Sequence, residues 1–201
     1  MSQYLDRLES RLAAETDIAR RAELEAQRAA YIARVGAFAE ARETVSRIRE
    51  QFGRGQSGRV AVRVMLAEGL IQAFERYSAE GLDRVMRAQA LATAMRYGDL
   101  TALTSAWRAH CQSERSEFAG MSRSLRTALD VVDDNDHDSL ARIAMTLANA
   151  FASCGEGPAA NAWYSTCRHH ALEAGDRATI EAMLYNKAAS LEFRVGGFRG
   201  V

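Results

Sequence analysis

Two sets of turn markers recur along this chain at nearly the same interval, and that interval limits the folds open to it. Asp99, Asp138 and Asp176 stand 39 and 38 residues apart, and the first and last of them follow a glycine, Gly98 and Gly175. Between them falls a second set at Gly36, about Ser78, about Ser116, Gly155 and Gly196, spaced by 42, 38, 39 and 41 residues. Self-similarity at a period of roughly 20 to 50 residues is the mark of stacked structural units. A unit of about 40 residues holds two helices of about 15 residues with their turns.

The residues between the markers read as helix. The chain has one proline, Pro158, and 48 % hydrophobic residues, enough to fill a core. Residues 2–14 place Tyr4, Leu5, Leu8 and Leu12 on one face. Thr16-Asp17 offers a cap there, against the competing reading of one helix running on to Val35. A helix over Phe38–Phe52 lines up Ala41, Val45 and Ile48. The next, Val60 to about Tyr77, carries a stripe of Leu66, Leu70, Ala73 and Tyr77. Its partner from about Gly81 to Tyr97 turns Leu82, Val85, Met86, Ala90 and Met95 inward. Leu100 to about Gln112 groups Leu103, Ala106, Trp107 and His110, and Phe118 to Val132 groups Met121, Leu125, Ala128 and Leu129. A hairpin over Asp138–Asp176 turns at Gly155 to Pro158, and a helix over Arg177–Val195 follows. Gly98 is expected to close one helix and Asp99 to cap the next; Asp138 or Ser139 should cap the helix after the acidic turn 133–138.

Small and aromatic residues fall at recurring places in these units. Residues 142–167 show Ala148, Phe151, Gly155, Ala160 and Tyr164. Residues 29–48 show Ala29, Ile32, Gly36, Phe38, Ala41, Val45 and Ile48, whereas the unit from Ser105 to Ala128 lacks the turn glycine. Over about residues 20 to 201 the chain resembles a tetratricopeptide-repeat (TPR) array, nearest the longer variant of MalT-type bacterial regulators. The resemblance implies an all-α, right-handed superhelix (solenoid) of antiparallel helical hairpins in one domain, 1–201. Its parts would be an N-terminal helix 1–16, helix pairs 17–58, 59–98, 99–137 and 138–175, and an unpaired last helix 176–201, capping or truncated.

In such arrays the first helix of each pair lines a concave groove. Here that face would hold Met65, Glu68, Gln72, Arg142, Met145, Asn149, Asn186 and Arg194. The function implied is a non-catalytic scaffold, adaptor or sensor module that binds a peptide or protein partner. One alternative is a small-molecule-binding or enzymatic protein with a pocket between hairpins, using His110 or the His169/His170 pair. A deep pocket with converging polar groups would favour it. Another is a homodimer formed through Leu184, Ala188 and Leu191 of the last helix.

Several other classes are disfavoured. Twenty-six basic residues balance 26 acidic ones, so no uniform basic face for nucleic acid is indicated. Lys187 is the only lysine, a mark of base-composition bias. Charges fill the opening MSQYLDRLESRL, and no run nears the ~20 apolar residues of a membrane span, so a cytoplasmic protein without a membrane partner is expected. Gly53 to Gly58 matches G-x-G-x-x-G literally, yet a helical segment precedes it instead of a strand, which makes it an inter-helix loop. Asp134, Asp136 and Asp138 alternate like a calcium loop, but Ser139 and Met145 hold the places of its glycine and final acid. Cys111, Cys154 and Cys167 form no disulfide framework. Cys154, Cys167, His169 and His170 lack paired zinc spacing, and adjacent histidines leave a helix in different directions. Trp107 and Trp163 read as packing residues. No metal, cofactor or catalytic residue is expected.

Overall fold

The three-residue links set the pattern of the chain, because they force consecutive helices to run antiparallel. The structure, a computed structural model, describes residues 2–52, 57–76 and 78–196, the last six by backbone alone. Gly53 and Gly55 of the glycine-rich match, Tyr77 of the Leu66 stripe, and the side chains of Leu191 and Arg194 therefore lie outside the described residues. The described residues form ten α-helices and no strand. They are α1 (Gln3–Ala14), α2 (Ile18–Arg34), α3 (Phe38–Phe52), α4 (Gly58–Arg76), α5 (Ala79–Ala94), α6 (Gly98–Glu114), α7 (Phe118–Leu129), α8 (His137–Ser153), α9 (Gly157–Ala174) and α10 (Arg177–Gly196). The break before α2 is real: the Asp17 carboxylate accepts from the Arg20 N–H and caps the helix. No helix among the described residues is long and apolar enough to cross a membrane.

Five links share one backbone device. A residue with positive φ stands just past the helix at Gly36, Arg96, Ser116, Gly155 and Gly175. The next N–H then reaches back to the last turn: Ala37 to Ile32, Tyr97 to Ala92, Glu117 to Gln112, Glu156 to Phe151 and Asp176 to Ala171. This is the six-to-one bond that satisfies orphan carbonyls at a helix end. Two expectations change here. Gly98 does not close α5; Arg96 does, at φ 57°, and Gly98 and Asp99 already belong to α6. Neither Asp138 nor Ser139 caps α8. Asp136 does, accepting from the Ser139 N–H at 3.2 Å.

Packing follows the order of the hairpins. Within pairs, α2 meets α3, α4 meets α5, α6 meets α7, and α8 meets α9; between pairs, α2 meets α4, α4 meets α6, α6 meets α8, and α8 meets α10. Helix α4 touches α2, α3, α5 and α6, so its apolar surface is not one stripe. Val60, Val62, Val64, Leu66, Ala67, Leu70 and Ile71 are all buried. Conversely Met86, Met95 and Leu129, expected inward, are 36 %, 48 % and 51 % exposed, and Ala90 is exposed too. Met95 and Leu129 sit at helix ends, where the chain turns away from the core. Helices α4 and α5 approach most closely at Gly69 and Gly81. A Cβ on Gly81 would lie 2.7 Å from the Ala73 N and 2.9 Å from the Gly69 O, so only glycine permits this crossing.

The N-terminal segment reaches across the molecule. The Tyr4 N–H and the Ser2 hydroxyl both donate to the Gly175 carbonyl, each at 3.2 Å, and Arg7 donates to the Glu173 carbonyl. Tyr4 stacks on Tyr31 with ring centroids 4.7 Å apart, and its hydroxyl donates to Asp138 while accepting from Gln27. Asp138, which lies inside the first turn of α8, thus ties that helix to α1.

Candidate functional site

Three helices present regularly spaced residues to one cavity. On α8, Arg142 and Met145 are three residues apart; on α6, His110 and Cys111 are adjacent; on α10, Ala178, Ala182, Tyr185 and Asn186 follow helical spacing. With Phe74 and Ala73 of α4, and Arg34 from the end of α2, they line a cavity of about 410 Å³. Leu82 lines it too, and Ser78, Glu114 and Arg115 complete it. A volume of this order falls in the small-molecule range of roughly 300–1,000 Å³.

A buried polar network lies beside the cavity. Arg34 donates to both carboxylate oxygens of Asp176, at 2.8 and 3.2 Å. Asp176 also accepts from the Thr179 N–H and hydroxyl at the start of α10. The Thr179 hydroxyl oxygen in turn accepts from Arg34 and from Arg142. Burial alone would raise the Asp176 carboxyl, but Arg34 and the Thr179 donors hold it below the usual range. Arg34 is raised in spite of its burial, by the Asp176 charge and hydrogen bond.

Arg142 is placed differently. It is only 5 % exposed and has no carboxylate partner among the described residues. Its guanidinium lies 3.8 Å from the Trp107 ring centroid, its one described hydrogen bond goes to Thr179, and its Nε is buried without a partner. Burial, with Arg34 adding repulsion, pushes its pKa down to about 9. Trp107 is supported edge-on by Phe74 at 6.0 Å.

His110 completes the inner wall. Its Nδ1 is buried without a partner, and its ring lies 5.6 Å from Trp107 and 6.4 Å from Phe74. Burial, then the charges of Arg142 and Arg34, push its pKa down to about 3. The ring is therefore neutral at pH 7 and offers an acceptor or one N–H. Beside it the Cys111 thiol is pushed up to about 12 by burial, which suppresses the thiolate a nucleophile needs.

A pH effect follows. His110 has a lower pKa folded than unfolded, so its neutral form supports the fold above about pH 6.5 and that support is lost as pH falls toward 3. Replacing it by glutamine removes this contribution. In urea denaturation, the stability lost between pH 7 and pH 4.5 should shrink by about 2 kcal/mol in His110→Gln. An unchanged loss would mean that the ring is solvated.

The groove residues expected from the sequence separate into groups. Arg142, Met145 and Asn186 line the cavity together. Asn149 lies next to them, its Oδ1 accepting from Asn186 at 3.3 Å and from the Tyr164 hydroxyl at 2.9 Å. Glu68 stands elsewhere, ion-paired with Arg49 of α3 and Arg84 of α5. Met65 packs in the α4–α6 core and the Gln72 Oε1 is buried without a partner. On α10, Leu184 is 56 % exposed and Ala188 is exposed, while Met183 points into the core. Arg34 and Thr179 went unnoticed in the sequence and Asp176 was read only as a turn marker, since their contacts span 142 and 145 residues and carry no local signal.

The histidines also meet differently from expectation. His137 of α8 stacks on His170 with ring centroids 5.3 Å apart, and His169 lies 6.5 Å from His137. Both adjacent histidines thus reach one neighbour, which sequence spacing alone did not place. No group of three or more His, Cys, Asp or Glu among the described residues is arranged to hold a metal ion. Comparison with protein-family models, with curated proteins and with solved structures finds no match to this chain.

Proposed function

We propose that this chain is a non-catalytic ligand-binding module of the TPR-like kind. Its hairpins would stack as a right-handed superhelix, and its ligand would be a small molecule held between hairpins. The observation that carries this reading is the cavity of about 410 Å³ into which three hairpins and the last helix bring apolar walls and two under-partnered polar groups, Arg142 and His110. Buried polar groups are normally satisfied, and those that are not point to a missing partner.

The pocket is favoured over a long peptide groove for a physical reason. Asn149 and Asn186 already bond to each other, and Asn149 also to Tyr164. Toward α1 lies a separate cavity of only about 40 Å³, lined by both partners of the Tyr4–Asp138 and Arg34–Asp176 contacts. An extended chain would have to break both.

Filling the pocket tests the reading. Ala182 is exposed and lines the cavity, so Ala182→Trp occupies space without disturbing the core. A fragment library screened by thermal shift should yield compounds that stabilise the native chain and fail on Ala182→Trp. A ligand present at 100 times its Kd stabilises by about 2.7 kcal/mol, well above detection. Compounds that stabilise both proteins equally, or none at all, would refute the pocket.

A further inference from the structure

The cavity also carries information about the chemistry of its occupant. We infer that it takes a small monocarboxylate with an apolar body, and that Arg142 receives the carboxylate. This rests on the pocket reading above.

The first argument is charge. Of the two guanidiniums at the inner wall, Arg34 is matched by Asp176 in a two-pronged pair. Arg142 has no carboxylate within ion-pair distance among the described residues, although it is nearly enclosed; Asp176 reaches it only across the Thr179 hydroxyl. An uncompensated buried cation is costly, and a bound anion relieves that cost. Burial first, and then the nearby Arg34 charge, lowers the Arg142 pKa, with Asp176 offsetting only part of it.

The second argument is geometry. The guanidinium carbon lies 3.8 Å from the Trp107 ring centroid, and the Nε beside it has no hydrogen-bond partner. A planar fork matches a planar carboxylate with two parallel N–H···O bonds. Of the three arginines that line the cavity, Arg34 is paired with Asp176 and Arg115 with Glu117, and Glu114 adds a negative charge. One guanidinium without a carboxylate, beside a neutral His110, therefore suits a single negative charge better than a phosphate. The third argument is the wall. Ala73, Phe74, Leu82, Met145 and Ala182 line much of the remaining space, beside Ser78, Glu114, Arg115 and Asn186, and such a surface prefers a mainly apolar body.

The Trp107 contact supplies a readout. Binding of 3-phenylpropanoate, octanoate and cyclohexanecarboxylate, each against its own primary amide and against inorganic phosphate, is followed by tryptophan fluorescence and thermal shift. The acids should bind at least about tenfold more tightly than their amides, the usual gain of a hydrogen bond to a charged group. Phosphate should not bind. Arg142→Met, which removes the charge and keeps much of the volume, should erase the preference for acids over amides.

The outcomes separate the two readings. Amides that bind as well as the acids overturn the carboxylate while the pocket stands. Phosphate binding as tightly as the acids overturns the apolar body. If none of the six organic probes binds, the inference falls, and the Ala182→Trp screen judges the pocket by itself. The acid–amide comparison on the native chain holds whatever the stability of the Arg142 variant.

Discussion

Asp176→Ala should cost about 3–5 kcal/mol in urea denaturation at pH 7, the largest single-site loss among the buried polar groups. Asp176 is 4 % exposed, and its carboxylate receives four described hydrogen-bond donors, two from Arg34 and two from Thr179. Its removal leaves Arg34 and Arg142 buried together with no anion between them. It also uncaps α10, because the Thr179 N–H loses its acceptor. Asp176→Asn keeps the shape and loses the charge, so it should show most of the same loss. The double variant Asp176→Ala/Arg34→Met should recover at least about 2 kcal/mol by removing the stranded cation. If the double variant is no more stable than Asp176→Ala alone, the cost was shape and not charge. The wild-type contribution depends on pH with a defined sign. The Asp176 carboxyl is held below its usual range, so its support is present above about pH 4 and fades as pH falls through its folded value.

Gly81→Val should cost about 3 kcal/mol, at the upper end for overpacking. The new Cβ would meet the Ala73 N, the Gly69 O and the Ala73 Cα at 2.7, 2.9 and 3.0 Å. All three atoms are backbone, so no side chain can rotate away and α4 must separate from α5. Gly69 stands on the other side of the same crossing, its own added Cβ falling 2.8 Å from the Val85 Cγ2. Gly98→Ala is the control. Nothing lies within 4 Å of its Cβ position, so it should gain a few tenths of a kcal/mol from reduced unfolded-chain freedom. Chemical denaturation of the three proteins under one condition checks the ranking; equal losses for Gly81 and Gly98 would contradict the crossing.

The period was legible because its punctuation is local. Gly36, Gly155 and Gly175 occupy positive-φ positions that glycine tolerates best, and their spacing survives in the sequence. Arg96 and Ser116 perform the same task with a side chain that normally avoids that conformation, so composition points to neighbouring Gly98 instead of Arg96. Burial was legible where a helix has one partner face and failed where it has several. Helix α4 is covered on most sides, and its alternating valines fit no single stripe. Gly69, a glycine inside a helical pattern, was a signal for close packing that periodicity alone does not weigh. The site divides along the same line. Arg142, Met145 and Asn149 were found together because three- and four-residue spacing places them on one face of α8. Their partners Arg34 and Asp176 come from opposite ends of the sequence, and no local pattern joins them. The buried, neutral state of His110 is likewise a property of what surrounds the ring, not of its neighbours in the chain.

The bonds from Ser2, Tyr4 and Arg7 to the Gly175 and Glu173 carbonyls carry a kinetic consequence. In a linear stack each unit touches only its neighbours, so units nucleate anywhere and fray from the ends. Here α1 packs on its neighbour α2, but residues more than 160 positions apart must meet before its docking is complete. Closing so long a loop costs entropy that no neighbouring unit repays early. Assembly should therefore end on a slow step, the docking of the first helix, and unfolding should begin by releasing it.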